Sequence, residues 1–394
     1  MIKVFLLQLS NFSSGVSNAI VTISIPWLIL EKSDSPSFAG LVVALSAIPA
    51  LIISPISGWF VDHLGRKTVS ISADVLSAIS VIAFPIVTWQ FELTNSLILI
   101  LALIGAVFDP AGYTARKTLL IDTAQQSGMN QEKLNGIHEG VFGVGWVFGP
   151  AIGAWLIATF GVINSFTFAS LLFIVAAISI LFLKIDNKKV HINQEKVKNN
   201  NLSQGFKVLW KDKLLRTITI SVLILAAVYL PTESIILPTY FENLGKPAQL
   251  GVVISALAAG STMGSFGYGF ISARISKKSL IRITFIGSSL SMVPMALLPP
   301  TWIMVIAGFF LGLFWGPFNP LMTSLIQNRV TESEHGRVFG LQLSAFYAAP
   351  PIGMVLTGVS VEQIGLQSTY LGLAFVLGLT SIFVLLTKAL RANF

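Results

Sequence analysis

The chain has 394 residues, 54% of them hydrophobic and 11% charged, with a formal net charge of +8 and a mean hydropathy of +0.80. A soluble domain carries about 25% charged residues, so a soluble globular protein is excluded. Cysteine is absent, which excludes disulfides and thiolate-bound metals.

Apolar runs follow one another along the whole sequence. A membrane-crossing helix needs about 20 apolar residues. Such runs lie near 4–30, 36–60, 70–91, 96–122, 134–158 and 163–184, then near 215–241, 247–272, 280–298, 301–328, 337–360 and 366–387. Barrel strands are shorter and alternate in polarity, so about twelve helices are predicted. The first run is too long for the apolar core of a signal peptide and is expected to be the first span. With both termini in the cytoplasm, all of the 25 lysines and arginines except Lys32 and Lys246 fall on the cytoplasmic side. That asymmetry is the usual one for membrane helices. The positive charge therefore speaks of orientation in a cell membrane, with the lipid bilayer as partner and no nucleic acid.

In the first span Gln8, Asn11 and Asn18 share one helical face. Amides are costly in lipid unless they find partners, so these three are cavity candidates. Spans 2 and 3 are separated by a short charged break running from Gly58 to Val69, in which Asp62 stands between Gly58 and Gly65 and is followed by Arg66 and Lys67. The pattern G-x-x-x-D-x-x-G-R-K resembles the loop between helices 2 and 3 of the major facilitator superfamily of transporters. The resemblance implies two six-helix bundles related by a repeat, alternating access and a gating latch. Asp62 is expected near the start of span 3, where the positive helix end favours a carboxylate. It would pair with bases on neighbouring helices in one state and release them in the other. Asp74 is expected in the same network, with Arg116 and Arg337 as partners.

Asp109 lies close to the middle of span 4. A charge there costs at least about 2.5–3.5 kcal/mol, which makes Asp109 the first candidate for binding a proton or a cationic substrate. Glu139, beside His138 in span 5, and Glu233, just after Pro231 in span 7, are further candidates. The plainer reading of each is a carboxylate paired for packing. Span 5 carries Gly145, Gly149, Pro150 and Gly153. Glycines at helical spacing let a neighbouring helix approach, and the proline bends its own helix. The run resembles G-x-x-x-G-P-x-x-G-G of facilitator-superfamily antiporters, with Ala154 in place of the last glycine. This resemblance implies export by antiport. Asp109-Pro110-Ala111, Asn135, Gly316-Pro317-Phe318-Asn319-Pro320, Arg329 and Gly336-Arg337-Val338-Phe339-Gly340 look like the branch that contains enterobactin exporters and macrolide efflux proteins. The arginine usual at mid-helix in span 4 of proton-coupled drug exporters is not present.

Residues 185–213 interrupt the apolar pattern with lysine and asparagine, and Phe206, Val208, Leu209 and Trp210 point to a short interfacial helix. The segment separates bundles 1–184 and 214–394. The halves echo each other: Pro150-Ala151-Ile152-Gly153 matches Pro350-Pro351-Ile352-Gly353, and Gly105 with Pro110 matches Gly312 with Pro317. A substrate site between such repeats lies near the midplane, where Asn319, Gln342 and Tyr347 join the amides of span 1 as cavity candidates. No phosphate-binding loop or histidine cluster is present, so no cofactor, metal or enzymatic chemistry is expected. The leading reading is a monomeric secondary transporter that exports an amphipathic, drug-like small molecule in exchange for protons. Export of a siderophore or metabolite, and a lipid-handling or sensor role, are the alternatives.

Overall fold

The computed structural model describes residues 1–184, 202–272 and 274–387. Inside the helices, the side chains of residues 54, 55, 58, 132, 202–205, 208, 332, 333, 335–337, 339, 340, 343, 344 and 347 are not described. Gly58, Arg337 and Tyr347 are among these, so their expected roles lie outside the described residues.

The chain forms α1 (Ile2–Ser33), α2 (Pro36–Leu64), α3 (Arg66–Gln90), α4 (Asn95–Ser127), α5 (Gln131–Phe160), α6 (Val162–Leu181), α7 (Leu202–Lys211) and α8 (Lys213–Pro231). A π-helical turn (Thr232–Ile236) leads into α9 (Leu237–Asn243). Then come α10 (Pro247–Ile271), α11 (Lys277–Ala296), α12 (Thr301–Trp315), α13 (Phe318–Arg329), α14 (Glu332–Ile364) and α15 (Leu366–Leu386). No strand occurs among the described residues. Among these residues, eleven helical stretches are long and apolar enough to cross a membrane. The 33-residue α14 stands at the place of the expected eleventh span.

Breaks fall where the sequence supplies them. Ser35 caps α2 by accepting the Phe38 amide at 3.1 Å. Gly65 ends α2 and starts α3 at φ 88°, ψ 144°, a region open essentially to glycine alone. Two expected spans are subdivided. The seventh runs through α8, the π-turn after Pro231 and α9, and the tenth breaks at Gly316-Pro317 between α12 and α13. Proline removes a ladder hydrogen bond at both places.

By contacts the chain divides into two compact units, Met1–Lys189 with Leu237–Ser255, and Val190–Ile236 with Ala256–Phe394. In the first, α1 packs on α4, α5 and α6, α3 packs on α4 and α6, and α2 packs on α4. Interhelical hydrogen bonds hold the bundle where apolar burial gives no drive within lipid. Ser17 Oγ donates to the Ala169 carbonyl at 2.6 Å, Ser170 Oγ to that of Ala78 at 2.9 Å, and Ser24 meets Ser165 at 2.7 Å. Phe84 and Phe166 stack at 4.3 Å. The glycines of α5 face α1: a Cβ at Gly149 would stand 2.5 Å from Ala19 Cβ, and one at Gly153 3.2 Å from Ile20 Cα.

In the second unit α14 packs on α7, α8 and α15, and α11 packs on α12 and α15. Gly260 and Gly264 on α10 face the α12 backbone, and Gly312 and Gly316 face that of α10. A side chain at any of the four would overlap the opposite carbonyl, so each helix contributes a small-x-x-x-small stripe. Asp212 caps α8 by accepting the Leu214 and Leu215 amides at 2.8 and 3.0 Å. It also pairs with Arg329 at the end of α13 at 2.8 Å. Burial alone would push the Asp212 carboxyl up, but Arg329 and the two amides hold it below the ordinary carboxylate range.

Two outcomes follow from this packing. Gly149→Val should destabilise the protein by about 1–3 kcal/mol through overpacking, whereas Gly140→Ala, with nothing within 4 Å of the added Cβ, should be neutral. Thermal melting in detergent reads the difference, and equal midpoints would contradict the α1–α5 contact. A carboxylate depressed in the folded state stabilises it above the unfolded value of about 3.9 and loses that contribution as pH falls through the folded value. Asp212→Asn keeps a capping side chain but removes the charge. Its melting midpoint should lie below that of the wild type at pH 7, with the gap closing below about pH 4. A gap unchanged across that range would count against the pairing.

Candidate functional site

The polar stripe on α1 is where the site begins. Gln8, Asn11 and Asn18 share a face, as their spacing predicts, and Ser14 and Thr22 extend it. Asn11 Nδ2 donates to the His138 carbonyl at 2.9 Å. Asn18 Nδ2 donates to Asp109 Oδ1 at 2.7 Å and to the Ser14 carbonyl at 3.0 Å. Gln8 is buried, and its amide has no partner among the described residues. Asp109 and Asn18 form part of the wall of a cavity of about 260 Å³ within the first unit. Ser46, Ser77 and Ser80 supply hydroxyls to that wall, and Phe84 and Phe173 supply apolar faces. Asp109 thus joins an amide of span 1 in one pocket.

Below the pocket lies a buried ion pair. Arg116 Nη1 donates to both Asp74 oxygens at 2.8 and 2.9 Å, and Nη2 donates to Ser14 Oγ at 2.9 Å. The two side chains are 4% and 3% exposed. An ion pair this dry is held by its geometry, and removing one partner costs about 3–5 kcal/mol. Gly112, one turn before Arg116, lets α4 approach α3: a Cβ there would stand 3.1 Å from Ala73 Cβ and in ordinary contact, 3.4 Å, with Arg116 Nη1. The sequence expectation linked Asp74 with Arg116, and the structure brings them together.

The loop at Gly65 is arranged differently from expectation. Asp62 sits in the last turn of α2, not at the start of α3. It is exposed, and no ion pair to it is found among the described residues. The reason is Gly65, whose turn ends α2 one residue before Arg66. Arg66 pairs with Asp122 at 2.8 Å. Lys67 Nζ donates to the Leu181 and Leu183 carbonyls at 2.8 and 3.0 Å, capping α6. The loop is therefore tied to α4 and α6 through its two bases. On α5, Glu139 pairs with Lys117 at 2.9 Å, both substantially exposed, and Lys117 lies 4.6 Å from the Tyr113 ring centroid. His138 is buried, with both ring nitrogens unpartnered among the described residues.

In the second unit Glu233 occupies the π-turn, half-buried. Single π-turns are frequent at functional sites. Tyr229, one turn before it, stacks on Trp315 at 4.5 Å and 5°. Asn319 is exposed on α13, and Gln342 is half-buried on α14. No group of three His, Asp or Glu that could hold a metal occurs among the described residues.

Asp122, Ser14, Gly112 and Ser77 were not predicted from the sequence. Ser14 carried a signal, since it falls on the same α1 face as Asn11 and Asn18. Asp122, a lone acid at the end of span 4, offered only its sign. Gly112 and Ser77 are ordinary small residues of membrane helices, and only the fold distinguishes them.

The sequence model described as Major Facilitator Superfamily matches residues 7–245 and 232–392. The multidrug efflux pump Tap of Mycobacterium tuberculosis (strain ATCC 25618 / H37Rv) is 31% identical over 392 residues, covering 98% of this chain and 94% of that protein. Macrolide efflux protein A of Streptococcus pyogenes is 23% identical over 94% of this chain and 92% of its own. Among solved structures, the nucleoside transporter NupG superposes with a TM-score of 0.79 at 16% identity over the whole of both chains. A D-xylose-proton symporter gives 0.71 at 13% identity, over 97% of this chain and 96% of its own. These two share the fold, in agreement with the helical order seen here. An all-helical multi-pass membrane protein with this match along nearly its whole length is a transporter and not an enzyme: the chain belongs to the Major Facilitator Superfamily.

Proposed function

We propose that the chain exports an amphipathic, drug-like small molecule in exchange for protons, by alternating access. The observation that carries this reading is the Asp109 carboxylate, held by Asn18 at the wall of a largely apolar cavity. Asp74 and Asp109 lie within one bundle with Arg116 between α3 and α4. Arg116 pairs with Asp74, and no ion pair to Asp109 is found among the described residues, so the Asp109 carboxylate is without a countercharge there. Such a charge is costly inside a membrane. A proton relieves that cost, and so does a cationic group on a substrate. Each then displaces the other, and that mutual displacement is the exchange.

The efflux activities in the names of Tap and of macrolide efflux protein A support drug-like cargo. The resemblance of the α5 glycines to the antiporter motif supports exchange, and their packing on α1 gives that motif a physical role. In this reading bundles 1–184 and 214–394 rock about the site, with 185–213 as the tether. Arg66–Asp122 and Lys67 hold the loop to its own bundle, and Asp62 is the gating carboxylate left exposed beside them. Glu233, in the π-turn, is a second carboxylate able to take a proton. The protein works as a monomer in the cell membrane, with both termini in the cytoplasm.

The test is transport in proteoliposomes with an imposed pH gradient, across a panel of cationic and neutral amphipathic drugs. Drug accumulation should require the gradient and collapse with a protonophore. The Asp109→Asn protein should lose its gradient-driven transport while still binding drug. Equal accumulation with and without the gradient would overturn the antiport reading.

A further inference from the structure

One face of α7 is left uncovered, and it is built from two kinds of side chain. The helix packs on α14 and α8, and Leu209 is buried. Phe206 and Trp210, one turn apart, are 48% and 44% exposed and stack on each other at 5.0 Å. Lys207 and Lys211, also one turn apart, are exposed. At about 100° per residue, the order round the helix is buried leucine, aromatic pair, lysine pair. Only Asp212 separates α7 from α8, and a membrane-crossing stretch begins at Lys213, itself exposed. Arg216, one turn into α8, reaches back: Nη1 donates to the Trp210 carbonyl at 3.3 Å, and the guanidinium carbon lies 5.4 Å from the Trp210 ring centroid. Four bases thus flank an exposed aromatic pair where the chain enters the membrane. Several bases elsewhere are committed within the protein, Arg66 to Asp122, Lys117 to Glu139 and Lys67 to the end of α6. No ion pair to Lys207, Lys211, Lys213 or Arg216 is found among the described residues. The one acid of 202–216, Asp212, is taken by Arg329 and by the first amides of α8.

We propose that α7 and the first turn of α8 form a binding surface for anionic phospholipid. The order of the side chains selects the occupant. A free phosphate or an acidic soluble partner would use the bases and leave Phe206 and Trp210 in water. An uncharged lipid would cover the rings and leave four bases unmatched. A phospholipid with a net negative headgroup meets both. Aromatic rings settle at the boundary between headgroup and acyl chain, and lysine stems carry their ammonium groups out to the phosphates beside them. Clusters of about four or more bases next to a membrane span draw such lipids. The Trp210 ring and carbonyl hold the Arg216 guanidinium, which fixes one of the four cations in place. Asp212 joins this surface to the end of α13 through Arg329. A lipid bound here therefore fastens the end of the tether, the start of α8 and the end of α13 to the membrane surface together. The proposal depends on neither Asp109 nor the coupling ion of the reading above.

Native mass spectrometry tests it on the purified full chain, released from micelles that hold equal amounts of dioleoyl-phosphatidylglycerol and dioleoyl-phosphatidylcholine. Wild type should retain phosphatidylglycerol in preference. Lys207→Gln with Lys211→Gln alters two exposed side chains and should leave the melting midpoint unchanged. Its preference should fall at least about fivefold, the contribution of one base near an anionic surface. Arginine at both positions should restore it. Lys277→Gln with Lys278→Gln removes the same charge elsewhere in the second unit and should keep the wild-type preference. An excess of inorganic phosphate at matched ionic strength should not displace the lipid. Equal retention of the two lipids by wild type, or an unchanged preference in Lys207→Gln with Lys211→Gln, would overturn the surface. So would an equal fall in the Lys277 and Lys278 variant, which would mean that total charge selects the lipid. Displacement by phosphate would overturn it too, leaving an adventitious ion only. A protein that keeps this preference while its transport ignores the pH gradient would sink only the antiport reading.

Discussion

A guanidinium buried in a membrane helix bundle cannot stand alone, and the first unit is organised around that constraint. Arg116 draws Asp74 from α3 and Ser14 from α1 to one point on α4. Gly112 lies against Ala73, where an added Cβ would stand 3.1 Å from the Ala73 Cβ, so α3 and α4 meet closely beside the pair. The same cluster fixes the height of Ser14 and hence of Asn18, which reaches Asp109 one turn further along. The position of the pocket carboxylate is thus tied to a salt bridge it does not belong to. Isolated in lipid, these groups would be strongly destabilising. Together they leave one unmatched negative charge, and the proposed exchange uses it.

Around this polar centre the packing is of two kinds. Glycine faces bring backbones together where close contact is needed, α5 on α1 in one unit and α10 on α12 in the other. Elsewhere the helices are interrupted, by the π-turn after Pro231 and by the break at Gly316-Pro317. Backbone groups freed inside a membrane are tolerated where they line a cavity or meet protein. Glu233 and the stacked Tyr229–Trp315 pair sit beside such interruptions. The two carboxylates differ in setting: Glu233 stands in the π-turn just after Pro231, whereas Asp109 and Pro110 lie inside the continuous helix α4.

The helices were legible in the sequence because membrane spans announce themselves by length and hydropathy, and because glycine, proline and charge mark their ends. The family was legible from the Gly58–Val69 loop, and the polar stripe of α1 from spacing alone. Asp109 stood out because a mid-span acid is expensive. Partner choice was legible for Asp74 with Arg116 but not elsewhere. Arg66 takes Asp122, 56 residues away, and Arg329 takes Asp212, 117 residues away. Pairings between helices depend on which faces meet, and no local pattern states that. The displacement of Asp62 into α2 has the same origin: one residue, Gly65, sets where the helix stops, and a motif read as a string does not say on which side of the turn each charge falls.

The central claim is that substrate and proton move in opposite directions through one site. The most direct measurement adds drug to proteoliposomes without any imposed gradient, with a pH-sensitive dye in the lumen. The account predicts that drug entry drives protons outward, so that the lumen becomes alkaline as drug accumulates, and that the Asp109→Asn protein shows no such change. Drug entry with no pH change, or with acidification of the lumen, would contradict it.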